Sequence, residues 1–110
     1  MPKKASPKKL PAHFTQFVKT YPDVAKAYNL LSKASKEAGP LNVKTTALVK
    51  LGIAIGLKHE GAVHSHVRKS LEAGAKPDEI RHVAILALTT VGFPSMMAAL
   101  SWVNDILENK

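Results

Sequence analysis

Proline and glycine cut this chain into helix-sized pieces. Pro11, Pro22, the pair Gly39-Pro40, Gly74 followed by Pro77, and Gly92 followed by Pro94 stand at intervals that leave little room for anything but short helices. Proline suits the first position of a helix and glycine the position just past its end. Between these breaks the apolar residues recur at helical spacing. Phe14, Phe17 and Val18 form the first stripe, and Val24, Ala27, Tyr28 and Leu31 the second. A third helix is predicted from Val43 to Leu57, "VKTTALVKLGIAIGL". Its "LGIAIGL" part also alternates as a strand would, but the flanking residues carry the helical period. Gly52 and Gly56 lie one turn apart there, each costing about 1 kcal/mol in helix propensity. Close approach of another helix is the expected reason.

A fourth helix is predicted over His59 to Ala73 and a fifth from Pro77 to Gly92, with Asp78 and Glu79 favourably placed in its first turn. The last runs from about Pro94 to Leu107. These pieces predict an all-α fold, a compact bundle of about six helices with the fourth and fifth forming a central hairpin. One hundred and ten residues make one domain. Residues 11–110 are assigned to it, and 1–10 to a disordered basic arm. The net charge is +8, and removing the four lysines of "MPKKASPKK" leaves +4. Such an arm is read first as a solubilising tail. It is the one segment expected to touch nucleic acid, through charge alone. No apolar run is long enough to span a membrane. Nothing resembles a secretory leader, so a cytoplasmic location is expected.

Cysteine is absent, which excludes disulfides, thiolate nucleophiles and Cys-ligated metals. Chemistry therefore falls to the histidines, three of which lie in "LKHEGAVHSHVR". On a regular helix His59 and His66 are about 20° apart, two turns from one another. With Ala62, Val63, Val67 and Leu71 they face inward or into a subunit interface. His64 lies nearly opposite His66, on the surface, where Glu60 is its i,i+4 partner. His66 is the best candidate for a working imidazole, able to pass a proton near neutral pH. His59 and His82 are the supporting candidates, with His82 across the hairpin. A satisfied structural histidine is the competing reading for all three. Zinc needs three or four ligands. His59 and His66 are about 10 Å apart along the axis, so no metal site and no cofactor are assigned.

The segment Val43 to Leu100, above all "HSHVRKSLEAGAKPDEI", resembles the carboxymuconolactone decarboxylase family, which includes the alkylhydroperoxidase D-like proteins. The resemblance implies an all-helical fold and assembly as a homo-oligomer, trimer or hexamer. Peroxidase-type members carry Cys-x-x-Cys, a histidine four residues on and a glutamate one helix upstream. By position the cysteines fall on His59 and Ala62, the histidine on His66 and the glutamate near Ala47. The redox pair is missing here, so the resemblance points to the decarboxylase-type branch. It implies acid–base, lyase-type activity on a small carboxylate or lactone without a cofactor. His66 would be the proton donor, and His59, His82 or Arg68 would hold the anion. A non-catalytic oligomeric member that binds a ligand or partner is the alternative, as is an antioxidant-related member without the cysteines. The apolar "FPSMMAALSWV" is read first as core.

Overall fold

The computed structural model describes residues 12–108, and the basic arm lies outside them. The described residues are helical throughout their regular structure: α1 (Ala12–Thr20), α2 (Pro22–Lys36), α3 (Val43–Gly56), α4 (Glu60–Glu72), α5 (Pro77–Leu86), α6 (Leu88–Val91) and α7 (Phe93–Leu107). The all-α expectation holds, and the strand reading of "LGIAIGL" falls. Two compact units are present, one of α1 and α2, the other beginning at Asn42 and holding α3 to α7.

In the first unit α1 and α2 pack on each other. The Phe17 and Tyr21 rings lie 5.6 Å apart in a tilted pair. Ala25 is the buried residue of α2, while Val24, Tyr28 and Leu31 of the expected stripe are exposed. In the second unit the core is continuous. Leu51, Ala54 and Ile55 of α3, Val63 and Val67 of α4, Ile80 and Ala84 of α5, and Ala99 and Val103 of α7 form one buried cluster with Ala75. Burying a valine, leucine or isoleucine completely contributes about 1.5–3 kcal/mol, so this cluster dominates the unit's stability. α7 packs against both α4 and α5, which follow one another across the short turn after Glu72.

Helix ends are set by local chemistry. The Asn42 side chain accepts from the Thr45 N–H at 2.8 Å and starts α3. Lys58 follows α3 at φ 56°, in the left-handed region that disfavours side chains with a β-carbon. The predicted fifth helix is divided. The Ala87 N–H reaches back three residues to the Ala84 carbonyl, and the Ala87 carbonyl accepts from both Thr90 and Val91. This tightening resembles a 3₁₀ turn. It falls where the β-branched run Thr89-Thr90-Val91 begins, which lowers helix propensity. Gly92, at φ 96°, then closes α6 and accepts the Met96 N–H at the start of α7.

Polar side chains clasp the helices around this core. One carboxylate does two jobs: Glu79 Oε1 accepts from the Lys76 N–H at 2.9 Å, and Oε2 pairs with Lys44 Nζ of α3 at 2.9 Å. Both contacts favour the ionised form. They hold the Glu79 carboxyl below its ordinary value near 4.5, the backbone N–H of Lys76 being the larger cause. Arg81 Nε of α5 donates to Asn104 Oδ1 of α7 at 2.8 Å.

The close approach expected at both glycines of α3 is only partly present. A β-carbon on Gly52 would meet Val83 Cγ1 at 3.7 Å, an ordinary contact, and one on Gly56 would meet nothing within 4 Å. Gly52→Ala is therefore expected to stabilise the protein by about 0.5–1 kcal/mol, read by denaturant unfolding. A loss of stability would show that the neighbouring helix needs the bare backbone. Glu79 supplies a second test through its lowered folded-state pKa. Its stabilisation is present in full above the unfolded value and is lost as pH falls through the folded one. The stability difference between wild type and Glu79→Gln should thus be constant above about pH 5 and shrink as the pH drops below about 4.

Candidate functional site

The candidate histidines are distributed along α4 and α5, and local structure assigns each a different environment. α4 buries Val63, Val67 and Ser70. His66 sits beside that stripe and is half-buried. Its backbone carbonyl accepts from Ser70 Oγ at 2.7 Å, which satisfies the one buried polar side chain of this helix. A serine bonding back to the carbonyl four residues earlier is a common way to bury a hydroxyl within a helix.

His59 differs from expectation. It lies outside the regular turns of α4, at the N-cap, with extended backbone. Its Nδ1 accepts from the Ala62 N–H at 3.0 Å. The wheel that placed His59 beside His66 assumed helical geometry one residue too early, and the residue is exposed. Gly61 makes room for the folded-back ring: a β-carbon there would stand 3.3 Å from His59 Cε1. With Nδ1 engaged as an acceptor, Nε2 is the nitrogen left for proton exchange or anion contact. His82, between half-buried Arg81 and Val83, is exposed on α5. Arg68 is half-buried on α4.

The surface assignment of His64 also changes. Its side chain is 22% exposed, and its Nε2 lies 2.9 Å from Asp105 Oδ2 of α7 and 4.0 Å from Glu60 Oε2. The i,i+4 pairing with Glu60 was legible in the sequence. Asp105, 41 residues away, carried no sequence signal, because only helix packing brings it there. The apolar tail is chiefly packing, as expected: Met96, Ala99 and Val103 are buried, while Phe93 and Met97 are exposed.

An all-α unit with a half-buried histidine on α4 and no sulfur nucleophile is the class that fold and side chains define. Residues 22–105 match the model of the Carboxymuconolactone decarboxylase family, and the chain belongs to that family. The match runs over more than half of the sequence and includes His59, His66 and His82. No curated protein and no solved structure matches the chain.

The capping role of His59 separates it from a purely chemical one. His59→Ala is expected to cost about 0.5–1 kcal/mol, and His59→Asp, a better cap, to restore or exceed wild-type stability. Thermal unfolding of both variants checks this. Equal stability of all three proteins would remove the cap.

Proposed function

We propose that this protein is a lyase-type acid–base enzyme acting on a small carboxylate or lactone without a cofactor, with His66 as the proton donor. The carrying observation is the half-buried His66 on α4 in a family member with no cysteine. Burial beside an apolar stripe keeps bulk water from competing for the transferred proton, and an imidazole can supply it near neutral pH.

In a decarboxylation the bond between the carboxylate carbon and its neighbour breaks and carbon dioxide leaves. The electron pair stays on the neighbouring carbon as a carbanion or enolate. The His66 imidazolium delivers its proton to that carbon, and the neutral ring regains a proton from solvent. A cation is needed to hold the substrate's anionic group. His82 is the exposed imidazole for that task and Arg68 the permanently charged alternative, while His59, its Nδ1 accepting the Ala62 N–H, offers only a neutral Nε2–H donor.

The reading includes self-association as a trimer or hexamer. Val49 and Ile53 of α3 and Leu57 just past its end, spaced four residues apart, present an apolar row and are 46%, 59% and 70% exposed. Contacts with copies of the chain would remove that row from water. A cytoplasmic setting accords with a cysteine-free chain. No helix of the described residues is long and apolar enough to cross a membrane. A non-catalytic oligomeric member that binds a ligand is the second reading, favoured by the structural use of His59 as a cap.

His66→Ala is expected to lower turnover of a small carboxylated lactone by about 10²–10⁴-fold, with the elution volume on gel filtration unchanged. Unchanged turnover would remove His66 from the chemistry. A panel of such lactones that yields no turnover by wild type would favour the second reading.

A further inference from the structure

Glu60, His64 and Asp105 bring one imidazole nitrogen and two carboxylate oxygens within 4.8 Å of one another. The trio stands apart from His66: on a helix His64 and His66 point about 160° away from each other. Glu60 and His64 share one face of α4 because they are four residues apart, and Asp105 is presented by α7. α4 and α7 pack against each other, with Val63, Val67 and Val103 fully buried in one cluster, so the two sides of the trio are held by the rigid core rather than by loops.

We propose that Glu60, His64 and Asp105 bind a divalent transition-metal ion of the zinc type, bridging α4 and α7. The chemistry of the donors selects the ion. Zinc accepts imidazole nitrogen and carboxylate oxygen at about 2.0–2.2 Å, whereas magnesium and calcium call for oxygen-rich shells. Two ligand atoms on one tetrahedral zinc ion stand about 3.3 Å apart at those bond lengths. The observed separations of 2.9 Å from His64 Nε2 to Asp105 and 4.0 Å to Glu60 straddle that value. Small side-chain rotations of two exposed carboxylates bring the three atoms onto one ion. The Nε2 lone pair would then go to the metal, replacing the direct His64–Asp105 contact, and the ring proton would reside on Nδ1. Two carboxylates and a neutral imidazole carry two negative charges, which match a divalent cation in an otherwise basic chain. Three protein ligands leave positions for water. Without an ion the same side chains form a surface ion-pair cluster, and the experiment separates the two.

Tag-free, full-length protein is titrated calorimetrically with zinc chloride, and with cobalt chloride under visible absorption. One zinc per chain is expected, together with cobalt d–d bands. His64→Gln, Asp105→Asn and Glu60→Gln should each weaken zinc binding by at least about tenfold. His82→Ala should leave it unchanged, and excess magnesium should not displace the zinc. Asp105 and Glu60 are exposed, so their variants read the site even where His64→Gln lowers stability. Absence of zinc binding, binding that survives all three substitutions, or binding lost in His82→Ala instead would overturn the proposal.

Discussion

The seat of α4 against α3 and α7 is the constraint on which the rest of the larger unit depends. Val63 and Val67 are without solvent exposure, as are Leu51 of α3 and Val103 of α7. Close-packed interiors resist displacement, so the rotation of α4 about its own axis is set by these contacts. That rotation decides what each histidine meets. With Val63 and Val67 at the centre of the buried stripe, His66 falls on one flank and His64 on the other, next to α7. A register shift of one residue, a turn of about 100°, would swing one of them into the buried face and the other to the opposite side.

The polar clasps follow from the same packing. Lys44–Glu79 joins α3 to α5, Arg81–Asn104 joins α5 to α7, and His64–Asp105 joins α4 to α7. Each lies at the margin of the apolar cluster, where side chains remain partly wet. Exposed pairs of this kind contribute little individually. Their effect is to specify which faces meet. Among the described residues no buried side-chain nitrogen or oxygen lacks a partner, so the core carries no uncompensated polar cost.

The two sides of α4 suit different chemistry. The His66 side is half-buried beside the stripe of Val63 and Val67, the setting on which the proposed proton delivery rests. The His64 side gathers anionic oxygens around an imidazole, suited to a cation. His59 belongs to neither side. Its ring ends the backbone of its own helix, a use that a histidine one position before the first regular turn can serve by accepting an N–H that has no partner within the helix.

What the sequence determined by itself was local. Proline, glycine and the 3.6-residue period placed the helices, with ends agreeing to within a few residues at Pro22, Val43, Pro77 and Leu107. The missing cysteines removed sulfur chemistry, and the Glu60–His64 spacing announced a pair. Only tertiary structure decided the rest. The division at Ala87 has no glycine or proline to mark it. The exposure of Val24, Tyr28 and Leu31 contradicts their period, because an apolar stripe shows which face would bury and not whether anything covers it. The arrival of Asp105 beside His64 depends on how α7 lies across α4, and a separation of 41 residues leaves no periodic trace. Spacing along a chain governs neighbours within one helix, whereas contacts between helices are settled by the fit of their buried faces.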